Sequence, residues 1–149
     1  MEVTNEVETR AVSVVLLRHA VAGERAEWRG DDRLRPLDKR GRRQSKALRD
    51  RLLAAGVTGI VSSPYVRCTE TVAPLAAALG VELERDDRLA EGASRGDALA
   101  ALAARAGFVA CTHGDIVEAV LGHSLKKGAA AVLEVEGDEV RLVRTLKAP

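Results

Sequence analysis

The chain has 149 residues, of which 46% are hydrophobic and 30% are charged, and its formal net charge at pH 7 is +1. This length suits one domain with a sizeable core, and the near-neutral charge excludes a general polyanion-binding surface. Aromatic residues make up only 2% of the chain, which argues against the stacking platforms of single-strand nucleic-acid binders.

The first ten residues are polar and acidic, without the basic and apolar regions of a signal peptide. No apolar run approaches the roughly 18 residues that span a bilayer. We therefore expect a cytoplasmic protein without a membrane partner, with a flexible tail at residues 1–10 and one domain at residues 11–149. Cys68 and Cys111 are too few for a disulfide framework and are expected to be buried free thiols.

The first half of the chain alternates between strand and helix patterns. An aliphatic run at residues 12–17 predicts a buried strand, and a long loop follows at residues 18–38. Apolar residues recur at helical spacing within residues 39–55, and Gly56 is placed to end that helix. A second strand is predicted at residues 57–61. The next helix, at about residues 65–79, contains Pro74, which is expected to kink or split it.

The second half continues the alternation. We predict a third short strand at residues 81–83 and a polar connection at residues 85–95. An alanine-rich helix at residues 96–105, a fourth strand at 108–111 and a short helix at 115–121 follow, and residues 132–135 and 140–143 predict a C-terminal hairpin. This order predicts a single α/β domain with a mostly parallel central sheet and helices on both faces.

Polar residues follow the predicted strands, where α/β sheets bind ligands. Arg18 and His19 follow the first strand, Arg67 the second, Glu91 the third and His113 the fourth. Guanidinium groups match phosphoryl oxygens, and a neutral imidazole can attack phosphorus. A carboxylic acid can protonate the leaving oxygen and then activate water. The four strand ends therefore predict a phosphoryl-transfer site.

Four short motifs occur in a fixed order between residues 12 and 121. They are Leu17-Arg18-His19-Ala20, Ser63-Pro64 with Arg67 and Thr71, Leu89-Ala90-Glu91, and Thr112-His113-Gly114. In this order they resemble the signature of the histidine phosphatase superfamily, which includes the cofactor-dependent phosphoglycerate mutases. The resemblance implies a phosphoglycerate mutase-like fold and phosphatase activity without a metal or other cofactor.

The resemblance also implies a role for each matching residue. His19 would be the phosphorylated nucleophile, and Arg18 and Arg67 would bind the phosphoryl oxygens. His113 would line the same pocket and donate to the phosphoryl group, and Glu91 would be the proton donor. Short members that resemble the phosphohistidine phosphatases often lack this acid, so an ordinary loop acid is the alternative reading of Glu91.

The sequence departs from the family pattern at two points. Ala20 replaces the usual glycine after the histidine, a small change that we expect to be tolerated. Residues 84–112 contain no long insertion that could build the lid domain of larger members, so the rim should be open to a protein-borne or bulky substrate. Residues 30–41 also look like the histidine-phosphatase domain attached to some bacterial Nudix hydrolases, but the chain has no Nudix box.

A metal site and a cysteine phosphatase are the chemical alternatives to this interpretation. The three histidines and two cysteines lack a zinc-like spacing, which argues against a metal site. A cysteine phosphatase would need an arginine six residues after its nucleophile. That position is Pro74 for Cys68 and Val117 for Cys111. The basic run Arg33, Arg35, Lys39, Arg40, Arg42 and Arg43 is either a solvated helix face or a surface that steers anionic substrates.

The expected substrate is protein phosphohistidine, with a nucleotide or another small phosphate ester as the second choice. A non-catalytic phosphate-binding module is the alternative from a different class. The oligomeric state is left open by the sequence.

Overall fold

The computed structural model describes residues 11–149, so the predicted tail at residues 1–10 lies outside the described part. Six strands occur in that part: β1 Val12–Arg18, β2 Gly59–Ser62, β3 Glu84–Arg85, β4 Phe108–Thr112, β5 Ala130–Glu136 and β6 Glu139–Leu146. They form one sheet in the order β3-β2-β4-β1-β5-β6. The pairs β3–β2, β2–β4 and β4–β1 are parallel, and β1–β5 and β5–β6 are antiparallel. The mostly parallel sheet and the C-terminal hairpin are confirmed.

Helices cover both faces of this sheet, as predicted. Within residues 11–149 there are four: α1 Lys39–Ala54, α2 Val66–Leu79, α3 Arg95–Ala103 and α4 Gly114–Leu121. Helices α1 and α2 bury Leu52 and Val72 in one aliphatic cluster with Leu17 of β1. Helices α3 and α4 contribute to a second cluster on the opposite face, which includes Leu16 of the same strand. Neighbouring residues of β1 thus point into different clusters, as the strand period of two requires.

The third predicted strand is placed wrongly. Residues 81–83 are not a strand, and the edge strand β3 is the two-residue segment Glu84–Arg85. The cause lies at the end of α2, where Gly80 takes a φ of +68°. The amide of Val81 then bonds back to the carbonyl oxygen of Ala76 at 3.2 Å. Because the helix cap uses this amide, pairing with β2 begins only at Glu84.

Pro74 does not split the second helix. Helix α2 runs unbroken from Val66 to Leu79 with Pro74 inside it. Proline removes one backbone hydrogen bond from a helix, but Val72 and Leu75 on either side are 0% and 1% exposed. The burial of these side chains against the sheet offsets the lost bond.

The long loop between β1 and α1 is fastened back onto the strand end. Ala22 forms an isolated antiparallel bridge with Leu37, and the amide of Asp38 donates to the carbonyl oxygen of Val21 at 3.1 Å. The Asp38 carboxylate then caps α1 by accepting from the amide of Gly41 at 2.9 Å. The loop therefore returns to the place where the first predicted site residues leave the sheet.

None of the helices within residues 11–149 is long and apolar enough to cross a membrane. Cys68 and Cys111 are both free and buried, as expected.

Candidate active site

The carboxyl ends of three neighbouring strands bring the predicted motifs together. Arg18 of β1 stands in register with Thr112 of β4, and Ser62 of β2 stands in register with Cys111. Beyond the strands, the amide of His19 donates to the carbonyl oxygen of Thr112 at 3.0 Å. The first, second and fourth motifs therefore meet at one edge of the sheet.

His19 is held in one tautomer by its own backbone neighbour. Its Nδ1 lies 2.8 Å from the carbonyl oxygen of Ala20, and because a carbonyl only accepts, Nδ1 carries the proton and Nε2 keeps its lone pair. Burial, with smaller electrostatic contributions from His113, Arg67 and Arg18, lowers the pKa of His19 from 6.5 to about 3, although the bond to Ala20 opposes this. The imidazole is therefore neutral at physiological pH, the state that a nucleophile requires.

Three buried side-chain nitrogens of the predicted site have no hydrogen-bond partner within residues 11–149. They are Nε of Arg18, Nε of Arg67 and Nδ1 of His113. An unsatisfied buried donor costs about 1–3 kcal/mol, so an anion that accepted these bonds would recover that cost. A phosphoryl group in transfer offers three equatorial oxygens, which makes it a chemically suitable acceptor.

His113 is the N-terminal cap of α4 and is oriented by a serine. Its Nε2 lies 2.8 Å from Oγ of Ser63, and its ring centroid lies 5.6 Å from that of His19. The Ser63 hydroxyl can donate to Nε2 of His113 while its oxygen accepts from the amide of Tyr65 at 3.2 Å, and Sγ of Cys68 lies 3.6 Å from the same nitrogen. In the tautomer whose Nε2 accepts from these groups, the imidazole proton lies on the unpartnered Nδ1 atom.

Arg67 lies deeper than the sequence indicated. It follows the second strand, as predicted, but it is fully buried and its guanidinium is held by two acidic residues. Nη1 donates to the backbone oxygen of Asp32 at 2.8 Å, and Nη2 donates to the Asp32 carboxylate at 3.0 Å and to Glu91 at 3.3 Å. The Tyr65 ring centroid lies 4.9 Å from the guanidinium carbon. Asp32 was missed, because it lies in a loop without periodicity.

Glu91 is brought to the same site by the loop before α3. Its carboxylate lines the cleft, and its two oxygens lie 2.8 and 3.3 Å from Nη2 of Arg25. The side chain is 29% exposed, so it is reachable from solvent and from a bound ligand. The sequence did not single out Arg25, since its partner Glu91 is 66 positions away.

The site opens into a cleft of about 530 Å³. Besides Arg18, His19, Glu91 and His113, its lining includes Arg25, Arg35, Asp115, Glu118 and Lys127. Arg35 is the one member of the predicted basic run that lines this cleft, and it is 6% exposed. Arg33 pairs with Asp31 instead, and the run's members on α1 are exposed. Within residues 11–149, no group of three His, Cys, Asp or Glu side chains could hold a metal ion.

Comparison with known proteins identifies the family. The family model described as the histidine phosphatase superfamily (branch 1) matches residues 14–105. The chain is also 40% identical over 126 residues to an 8-oxo-(d)GTP phosphatase of Mycolicibacterium smegmatis. That alignment covers 80% of this chain but only 38% of the relative, so the chain spans less than half of the relative's length. Both findings support the predicted hydrolase of phosphate esters.

Solved structures share the fold. The protein histidine phosphatase SixA complexed with tungstate matches with a TM-score of 0.74 and 20% identity, over 91% of this chain and 96% of that one. A mycobacterial glucosyl-3-phosphoglycerate phosphatase complexed with VO3 matches with a TM-score of 0.69 and 19% identity, over 93% and 100%. With a family model that covers more than half of its length, the chain belongs to branch 1 of the histidine phosphatase superfamily.

Proposed function

We propose that this protein is a metal-independent phosphatase that works through a phosphorylated His19. The observation that supports this most directly is the neutral His19 ring, whose Nε2 lone pair is free. The buried unpartnered donors of Arg18, Arg67 and His113 belong to the same strand-end site. A nucleophile beside donors for the developing charge is the arrangement that phosphoryl transfer needs.

The reaction has two displacement steps. In the first, the Nε2 lone pair forms a bond to phosphorus while the bond to the leaving oxygen breaks, and that oxygen takes a proton from Glu91. In the second, water attacks phosphorus, the nitrogen–phosphorus bond breaks, and the Glu91 carboxylate takes the proton from water. Arg18, Arg67 and His113 hold the phosphoryl oxygens in both steps.

A nucleotide or another small phosphate ester is the substrate class that we now place first. The cleft volume of about 530 Å³ lies in the range of small-molecule sites. A carboxylate in that cleft is useful for ester substrates, since an alkoxide or phosphate leaving group needs a proton. The 40%-identical relative, named an 8-oxo-(d)GTP phosphatase, also supports a nucleotide as the first candidate.

Protein phosphohistidine, which the sequence alone favoured, becomes the second candidate. It is supported by the fold shared with SixA and by exposed residues such as Glu118 and Lys127 in the cleft lining. A macromolecular substrate could reach a rim of this kind.

We also propose a cytoplasmic location, which the free thiols of Cys68 and Cys111 support because reducing compartments keep such thiols unpaired.

The test is phosphate release from a nucleoside triphosphate, an aryl phosphate and a phosphohistidine peptide, all with EDTA present. His19→Ala is compared with His123→Ala, because His123 lines a different pocket at the C-terminal end of α4. Release that survives EDTA and His123→Ala but is lost in His19→Ala supports the proposal. Equal release from both variants contradicts it. Phosphate binding without any release would indicate a binding module.

A further inference from the structure

Asp32 contacts three arginines at the mouth of the active site. Its Oδ2 lies 3.0 Å from Nη2 of Arg67 and 3.7 Å from Nη2 of Arg25. Its Oδ1 accepts from Nε of Arg35 at 2.9 Å. Two of these arginines, Arg25 and Arg35, line the cleft directly. One carboxylate thus joins the deepest arginine of the site to the two that lie nearer its surface.

The contact with Arg67 is made at two points. The backbone oxygen of Asp32 accepts from Nη1 at 2.8 Å, and the carboxylate accepts from Nη2. Two acceptors on two different nitrogens fix the plane of a guanidinium group, because its donors lie in a rigid planar fork. The third nitrogen, Nε, remains without a partner within the described residues.

Asp32 is ionised when it makes these contacts. Burial raises the pKa of its carboxyl, but the hydrogen bond from Arg35 and the charges of Arg67, Arg35 and Arg25 together lower the pKa below its usual range. The backbone around Asp32 is held by its neighbour. The Asp31 carboxylate caps the short 3-10 turn Asp32–Leu34 by accepting from the amide of Arg33 at 3.0 Å.

We propose that Asp32 is a positioning residue, which orients the guanidinium of Arg67 for the phosphoryl group and ties it to Arg35 of the cleft lining. This inference rests on the proposed function, in which Arg67 binds phosphoryl oxygens. Asp32 itself does not touch the substrate. It acts by holding the Arg67 guanidinium in one orientation before the substrate binds.

Electrostatics alone predicts the opposite effect of Asp32 on anion binding, so the direction of the change in affinity tests the inference. A negative charge beside an anion site repels the anion. With both carboxyl groups ionised, the cluster of Arg25, Arg35 and Arg67 with Asp32 and Glu91 carries three positive and two negative charges. Neutralising Asp32 would therefore strengthen anion binding if charge were its main effect. If orientation is its main effect, neutralising it weakens binding.

The experiment measures the dissociation constant of orthovanadate, a phosphoryl mimic that needs no turnover. Asp32→Asn is compared with Asp31→Asn, which removes a charge from the same loop but keeps a side-chain oxygen that can cap the turn Asp32–Leu34. We expect Asp32→Asn to bind about tenfold more weakly, the usual loss for a hydrogen bond to a charged group, and Asp31→Asn to bind like the wild type. Tighter or unchanged binding by Asp32→Asn overturns the inference, and so does an equal loss in both variants.

A double-mutant cycle shows whether Asp32 acts through Arg67. With Arg67→Ala, or Arg67→Lys if the alanine variant does not fold, adding Asp32→Asn should have no further effect on the vanadate dissociation constant. A full additional loss overturns the inference, because it would mean that Asp32 acts independently of Arg67. The proposed function is contradicted by a different result, turnover that survives His19→Ala. The vanadate dissociation constants can still be interpreted in that case, because they require no turnover.

Discussion

Nδ1 of His19 lies 2.8 Å from the carbonyl oxygen of Ala20, the next residue in the chain. The tautomer of the proposed nucleophile is therefore set by backbone, and no side-chain substitution at residue 20 removes the acceptor. The amide of Ala20 in turn donates to Oγ1 of Thr71 at 3.0 Å, so α2 holds this peptide in place. Ala20 is 0% exposed, and its methyl group is accommodated where the family usually has glycine.

The low pKa of His19 predicts a pH-dependent loss of stability. The pKa is 6.5 in the unfolded chain and about 3 in the folded one, so below pH 6.5 the unfolded state takes up a proton that the folded state refuses. Stability is lost as the pH falls through this window, by up to about 1.4 kcal/mol per pH unit. Urea unfolding at pH 7.5 and pH 5 should show a smaller loss for His19→Asn than for the wild type.

The matched control for this measurement is His123→Asn. His123 is exposed on the surface and is not part of the site, so its replacement should leave the wild-type difference between the two pH values unchanged. A His19→Asn protein that loses as much stability as the wild type would contradict the assignment of a neutral, desolvated His19.

Ser63 and Ser62 offer a paired test of how His113 is oriented. Oγ of Ser63 lies 2.8 Å from His113 Nε2, whereas Oγ of Ser62 donates only to the backbone oxygen of Ser63 at 2.8 Å. We expect Ser63→Ala to lower kcat/KM by about 10- to 100-fold, the range known for residues that orient metal-binding histidines, with the larger part in kcat. Both serines are 0% exposed, so Ser62→Ala is matched in burial and should lower kcat/KM much less. Equal losses would assign the effect to packing.

The strand-end residues of the site could be found from the sequence because the geometry of a parallel sheet leaves little choice. The side chains that follow β1, β2 and β4 must emerge at one edge, and Arg18, His19 and His113 do so. The depth of Arg67 could not be found in this way. It depends on Asp32, which lies 35 positions earlier in an irregular loop, and no local pattern encodes such a contact.

The sequence also could not show which residue of the basic run lines the cleft. Arg35 and Arg40 belong to one charged stretch, and the sequence gives no reason to separate them. In the structure Arg35 is 6% exposed and lines the cleft, while Arg40 is exposed on α1. The difference arises because the loop folds back through the Ala22–Leu37 bridge. Only the tertiary position of that loop separates a cleft residue from a solvated helix face.

Glu91 should matter for ester substrates more than for phosphoramidates. A protonated imidazole leaving group needs little further help, whereas an ester oxygen must receive a proton as it departs. We expect Glu91→Gln to slow hydrolysis of an alkyl phosphate by about 10²- to 10⁴-fold and hydrolysis of a phosphohistidine peptide much less. The measurement is kcat for both substrates in the same preparation.

Glu118→Gln is the control for the acid assignment, because Glu118 also lines the cleft and is exposed, but it makes no contact with Arg67. It should leave the ratio of the two rates at the wild-type value. Equal slowing of both substrates by Glu91→Gln would remove Glu91 from the acid role and leave it as a partner of Arg25 and Arg67.

Two glycines in the first turns of helices are expected to respond to alanine with opposite signs. A Cβ at Gly41 would lie 1.9 Å from the carbonyl oxygen of Val21, whereas a Cβ at Gly96 meets nothing within 4 Å. Gly41→Ala should therefore destabilise the protein by about 1–3 kcal/mol and displace the backbone two residues beyond His19. Gly96→Ala should stabilise it by up to about 1 kcal/mol, because alanine loses less backbone entropy in a helix. Chemical denaturation measures both, and a Gly41→Ala protein as stable as Gly96→Ala would contradict the close approach of α1 to the strand end that carries the proposed nucleophile.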